Sequence, residues 1–170
     1  VVGSNIGVVS KIDSLFAVSR YVTSAQIKTF FEIAQLILSE DDPSLDFPSH
    51  LRWSSSLYGK IREFSPQLRK GIAETFVLLV VHGDFLFSSR YGFSCEYMAA
   101  HTVNRILLPI TSRKLEANSN ELPIYAEAAP ATFLRIIEDD LKEESPQVIA
   151  LLKPMISGYF GSSCPRTGLL

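Results

Sequence analysis

Several kinds of residue and pattern that would announce a function are scarce or missing in this chain. There are only two cysteines, Cys95 and Cys164, in 170 residues. They are too few and too far apart for a disulfide framework or a Cys-x-x-Cys metal or redox pair, so the expected setting is a reducing, cytoplasmic one. Neither charge sign is in excess: 16 basic against 18 acidic residues leave a net charge of -2. A broad nucleic-acid-binding face needs a clear surplus of Lys and Arg, so none is expected. Long apolar runs are also absent. The longest, Phe76 to Val81, is far short of the roughly 20 residues of a membrane span, and no membrane partner is expected. The first nine residues carry neither an initiator Met nor the basic-then-apolar layout of a signal peptide.

Catalytic signatures are missing as well. No Gly-x-x-x-x-Gly-Lys-Ser/Thr run offers a phosphate loop, and no serine sits in a Gly-x-Ser-x-Gly elbow. His50, His82 and His101 share no ligand spacing with each other or with a cysteine. In His82-Gly83-Asp84 a His/Asp catalytic pair is outweighed by a plainer reading, a helix C-terminus with His on the dipole and Gly as the cap. Phe160 to Pro165 reads as a turn into a helix rather than a nucleophile loop. Glu138-Asp139-Asp140 with Glu143-Glu144 reads as a solvated helix face rather than a cation site. The chain is therefore expected to be no enzyme, with no catalytic residue, no cofactor and no metal.

What is present is helical periodicity. A first helix is expected over Ile12 to Tyr21 with Leu15, Phe16, Val18 and Val22 inward. A second opens on the capping box Thr23-Ser24-Ala25-Gln26 and buries Ile27, Phe30, Phe31, Ala34, Ile37 and Leu38. Two prolines and four acids between Glu40 and Ser49 predict an exposed loop. A short helix follows over Leu51 to Arg62. Ser65-Pro66 starts the most apolar helix, built on Leu68, Ile72, Ala73, Phe76, Leu79 and Val80, with Gly83 as its C-terminal cap. Asp84 to Ser94 reads as a long loop, and Tyr97 to Leu108 as a helix stopped by Pro109. Leu115, Leu122, Ile124, Tyr125 and Ala128 can share a face in a segment that Pro123 kinks or splits. Pro130 opens a helix with Phe133, Leu134, Ile136, Ile137 and Leu141 inward and Glu138, Asp139, Asp140 and Lys142 wet. Ser145-Pro146-Gln147 begins a last short helix to Leu152.

The fold expected is all-α, one helical domain over 1–170 made of antiparallel helical hairpins. Ser-Pro-Gln at 65 and again at 145 lies at about twice a HEAT-type period. The hairpins can thus stack as a HEAT-like α-solenoid segment or close into a bundle. The apolar ending Thr167-Gly168-Leu169-Leu170 suggests a fragment of a longer protein.

Three stretches resemble a group of large bacterial proteins of unassigned function. One runs from Ser14 to Arg52, with Asp42-Pro43-Ser44-Leu45-Asp46 and Leu51-Arg52-Trp53. A second comprises Tyr58-Gly59-Lys60, Leu68-Arg69-Lys70-Gly71 and Ala73-Glu74-Thr75. The third is Leu122 to Pro130 with Phe133-Leu134 and Phe160 to Ser163. In that group the last pattern runs into a Thr-Gly-Leu-Leu segment, as at Thr167 to Leu170. The resemblance implies a helical-repeat-like region beside an effector or NTPase domain, an architecture shared with conflict and defence proteins. It carries over no catalytic residue. The function implied is a scaffold, sensor or adaptor that binds a protein partner or other domains of its own chain.

One charge feature competes with that reading. Arg52, Lys60, Arg62, Arg69 and Lys70 are opposed only by Glu63 in their interval, and Trp53 and Tyr58 lie among them. Basic groups interleaved with aromatics can grip nucleic acid or a phosphate ligand. The plainer alternative is a helix hairpin with a basic outer surface and Trp53 in the core.

Overall fold

The computed structural model describes residues 9–152, and their fold is all-α with no strand among them. α1 (Lys11–Ser19) and α2 (Ser24–Leu38) are followed by two 3-10 segments, Pro43–Asp46 and Ser49–Tyr58. Then come α3 (Pro66–Gly83), a π turn (Asp84–Ser88), α4 (Ser89–Tyr91), α5 (Cys95–Leu107), α6 (Ser112–Ala117), α7 (Leu122–Ala128), α8 (Pro130–Leu141) and a 3-10 segment, Gln147–Leu152. The features read at Phe160 to Leu170 lie outside the described residues, as does Cys164.

Local chemistry sets most of the starts. At Thr23 the capping box forms as expected: the Gln26 amide donates to the Thr23 hydroxyl oxygen, and the Thr23 amide donates to Gln26 Oε1 at 2.8 Å. Ser65 caps α3 through the Leu68 amide, with Pro66 in its first turn. Pro123 stands in the first turn of α7, so the irregular 112–128 segment is split into α6 and α7 rather than kinked.

α2 and α3 form an antiparallel hairpin. The Arg69 guanidinium meets the Ile37 carbonyl at one end, and the Phe31 and Phe76 rings meet edge-on at 5.6 Å further along. α2, α3 and α5 touch one another pairwise, and α7 packs on both α3 and α5. The core they enclose contains Ile27, Phe31, Ala34, Leu38, Ala73, Phe76, Ala99, Val103, Leu122 and Tyr125. The two Ser-Pro-Gln sites open unlike units, an 18-residue α-helix and a six-residue 3-10 segment.

Several expectations fail for identifiable reasons. α1 buries no residue. Phe16 and Val18 are exposed, while Leu15 and Val22 pack partly on the core. α1 runs parallel to α3, with Lys11 ion-paired to Glu74 and the Arg90 guanidinium on the Ser19 carbonyl. Gly83 is no cap: its backbone is right-handed helical, and the chain stays helical to Tyr91. The left-handed cap is Gly92, at φ 68°. Gly83 is small because α5 is close, and a Cβ there would lie 2.5 Å from Cys95 Sγ. The predicted 84–94 loop is thus mostly helix. Its Asp84 carboxylate accepts from the Ser94 hydroxyl and from the Cys95 amide, which ties the turn to the start of α5.

On α8, Leu134 and Leu141 are exposed and Asp140 is buried, the reverse of expectation. Asp140 accepts the Gln147 and Val148 amides at 3.1 and 2.8 Å, so it caps the final 3-10 segment from a distance. Through its π turn the central helix reaches 26 residues, Pro66–Tyr91, and is long and apolar enough to cross a membrane by length and composition. Its peak window has mean hydropathy 1.5 and is 28% buried within the fold.

Candidate interaction surface

The basic segment and the acidic loop before it are each other's partners. Lys60 Nζ lies 3.0 Å from Asp46, and Arg62 Nη2 lies 3.2 Å from Asp42 and donates to the Ala117 carbonyl at 2.5 Å. Arg52 reaches across to Glu116 at 3.0 Å and also donates to the Phe47 carbonyl. Arg113, which the sequence reading did not single out, adds Asp41 and Asp46 at 2.7 and 2.9 Å. Glu40–Ser49 is therefore not a bare exposed loop. A 3-10 turn forms at Pro43–Asp46, begun by Asp42 accepting the Ser44 amide.

Arg69 is the deepest member, 3% exposed although it lies on a helix. Its Nε donates to Glu121 at 3.1 Å, its Nη1 donates to the Ile37 carbonyl at 2.6 Å, and Glu40 Oε2 lies 3.6 Å away. Glu40 Oε1 accepts the Glu63 and Phe64 amides. Glu40 Oε2, Arg62 Nη1 and Arg69 Nη2 are buried without a hydrogen bond, so the cluster is only partly satisfied. Beside it, the Tyr125 hydroxyl donates to Asn118 Oδ1 at 2.8 Å in the core, and burial pushes its phenol well above the ordinary range.

The electrostatics follow the pairing. Burial raises the Asp42 carboxyl, but hydrogen bonds from Ser44 and the Arg62 charge outweigh it and hold the group below its ordinary value. Hydrogen bonds from Lys60 and Arg113 lower Asp46 in the same way. Of the five residues singled out in the sequence, Arg52, Lys60, Arg62 and Arg69 each meet a carboxylate. Lys60 and Lys70 are both exposed, and Lys70 lies one helical turn from Glu74, whose carboxyl its charge helps to lower.

The aromatics interleaved with the bases behave differently. Trp53 is not in the core but 78% exposed, as is Leu57, and Leu51, Tyr58 and Ile61 are exposed with them. The 3-10 helix Ser49–Tyr58 turns the small Ser54 and Ser55 to the body, and Gly59 ends it at φ 68°. A ten-residue 3-10 run is unusual. A helical pattern assuming 3.6 residues per turn does not bring out which of its side chains are buried.

Among the described residues there is no group of three or more His, Cys, Asp or Glu able to hold a metal ion. Cys95 is buried, and its thiol is pushed up to about 11, first by burial and then by the Asp84 charge. That is the opposite of nucleophile activation. Comparison with known proteins found no matching family model, no matching curated protein and no matching solved structure.

Proposed function

We propose that this chain is a non-catalytic helical scaffold that presents the ridge Leu51, Trp53, Leu57, Tyr58 and Ile61 to a protein partner, or to other domains of a larger bacterial protein. The sensor or adaptor role of a defence-type protein is the setting in which the resemblance would place it. One observation carries the reading: the chain's single tryptophan stands 78% exposed among other exposed apolar side chains. Trp and Tyr are the residue types that most often anchor protein interfaces. The ridge is also fixed in place, because Arg52 ties its start to Glu116 and Lys60 ties its end to Asp46. A surface held rigid before binding loses less entropy on association.

The same ion pairs weigh against nucleic-acid or phosphate binding through Arg52, Lys60, Arg62, Arg69 and Lys70. Four of those five would have to leave a carboxylate to reach a phosphate.

A photo-crosslinking residue placed at Leu57 in the protein in cells tests the proposal. A discrete protein adduct that disappears in the Trp53→Ser variant supports it. No adduct, or one indifferent to Trp53, overturns it. Titration with DNA and RNA tests the alternative. Binding that falls steeply with salt and is lost in Lys60→Glu with Lys70→Glu would replace the scaffold reading with it.

A further inference from the structure

We propose that a second surface, along the outer side of α1 and the C-terminal half of α3, docks on an anionic phospholipid membrane without crossing it. It goes beyond the partner-binding ridge and uses none of its residues. Ile12 and Phe16 are four apart on α1, and Val81 and Phe85 are four apart on the α3 continuation, so each pair shares a helix face. Ring contacts join the two helices: Phe16 lies 5.6 Å from His82 and 6.3 Å from Phe85. All four apolar side chains are exposed, Phe85 by 81%. The π turn contributes to this, because it buries Phe87 while leaving Phe85 in solvent.

Cations gather at one end of this strip. The Arg90 guanidinium donates to the Ser19 and Arg20 carbonyls and sits over the Tyr91 ring. Arg20 covers the ring of exposed Tyr21 at 4.6 Å. Lys28 lies over Phe93, which stacks on Tyr91. Among the described residues none of these three cations is ion-paired. The acids of the surrounding elements are Asp13 on α1, Glu32 on α2, Glu96 on α5, Glu74 on α3, which pairs with Lys11, and Asp84 beside Phe85, which accepts from Ser94 and Cys95; none is ion-paired with these cations. At the other end Lys11 is neutralised by Glu74.

Charge and shape together select the occupant. Three cations without ion pairs beside an apolar strip call for an anionic partner with an apolar interior. Phe85 and Tyr21 are 81% and 69% exposed, more than side chains lining a groove for a peptide helix would be. Single-stranded nucleic acid would stack on the rings but would leave Ile12, Val18 and Val81 uncovered. A bilayer surface takes aromatic and aliphatic tips at its headgroup boundary and attracts Arg and Lys to anionic lipid.

Co-sedimentation of the full 170-residue chain with vesicles tests this, using phosphatidylcholine alone and phosphatidylcholine mixed with phosphatidylserine. Binding is expected only to the mixed vesicles, weakening as salt rises through the physiological range. Phe85→Ser is expected to reduce affinity at least about tenfold. Arg20→Gln and Lys28→Gln are each expected to reduce it about fivefold. Trp53→Ser should bind like the parent, which separates failure here from failure of the protein-binding ridge. These side chains are exposed, so circular dichroism should report an unchanged fold. Absence of binding to the mixed vesicles at low salt, equal binding to both vesicle types, or indifference to Phe85→Ser overturns the proposal. So does binding of a single-stranded oligonucleotide that depends on Arg20 and Lys28 while vesicles stay unbound.

Discussion

Two clusters of basic residues in this fold differ in what surrounds them. Arg52, Lys60, Arg62 and Arg69 are dense in sequence and lie near Trp53 and Tyr58, yet each is matched by a carboxylate. Arg20, Lys28 and Arg90 are scattered over 70 residues, and none is ion-paired within the described fold. The first cluster is paired within the fold. It fastens the two 3-10 segments to α3, α6 and α7. The second meets backbone carbonyls and aromatic rings instead of carboxylates. Density of charge along a chain therefore says little about charge available to a ligand, because folding brings distant acids such as Glu116 and Glu121 onto the dense cluster.

The comparison is broken most forcefully at Arg69. If the first cluster is structural, Arg69→Met should cost about 3–5 kcal/mol, because Glu121 and Glu40 lose the charge they were buried against. Arg20→Gln, at an exposed position in the second cluster, should change stability by less than about 0.5 kcal/mol. Urea unfolding of both variants measures the contrast. Adding Glu121→Gln to Arg69→Met should recover part of the loss, since a buried anion without its cation is the main penalty. Equal effects of Arg69→Met and Arg20→Gln would erase the distinction between the clusters.

A smaller effect is expected at Gly83, in the helix that carries the second cluster's apolar strip. Alanine at a helical glycine ordinarily stabilises by roughly 0.5–1 kcal/mol. Here its methyl would meet Cys95 Sγ at 2.5 Å and Cys95 Cβ at 3.0 Å. Overpacking of that kind costs about 1–3 kcal/mol. A net loss of about 1–2 kcal/mol should follow, read as a lower midpoint in urea. Relief in Gly83→Ala with Cys95→Ala would trace the loss to this one contact. A stabilised single variant would mean that Gly83 has no packing role and that α5 can move away.

How much of this was legible in the sequence depends on whether the cause was local. The helix starts at Thr23, Ser65 and Pro130 were readable because their caps and prolines act within four residues. The all-α class and the core face of α2 were readable from periodicity. The role of Gly83 was not, because a residue twelve positions on sets it. Asp140 looked like part of a wet acidic face, yet it caps a segment seven residues later, and charge alone does not reveal that. The basic residues from Arg52 to Lys70 stand out in the sequence by their density, but the acids that four of them meet come from 14 to 64 residues away. Trp53 was misplaced because apolar character reads as core when the chain winds as an α-helix. The segment winds as a 3-10 helix and turns Ser54 and Ser55 inward instead.

Acid provides the gentlest way to sharpen the comparison, since it converts the first cluster toward the condition of the second. The Asp42 and Asp46 carboxyl groups are both held below their ordinary value of 3.8, Asp42 by hydrogen bonds from Ser44 and then by the Arg62 charge, Asp46 by Lys60 and Arg113. A depressed folded-state pKa contributes stability that is fully present above the unfolded value and is lost as pH falls through the folded one. Stability should therefore be flat near neutrality with respect to these groups and decline below about pH 4. Glu74 and Asp139 are lowered too and act with the same sign. The contribution of Asp42 is isolated by Asp42→Asn, which keeps an acceptor for the Ser44 amide but removes the charge facing Arg62. That variant should be less stable than the parent at pH 7, and the gap should close as pH falls below 4. Arg20, Lys28 and Arg90 have no paired carboxylate to lose, so Arg20→Gln should track the parent across the same range. A gap between Asp42→Asn and the parent that persists at low pH would mean that Asp42 acts through its shape and hydrogen bonds rather than its charge, and Arg62 would then have to be counted with the free cations.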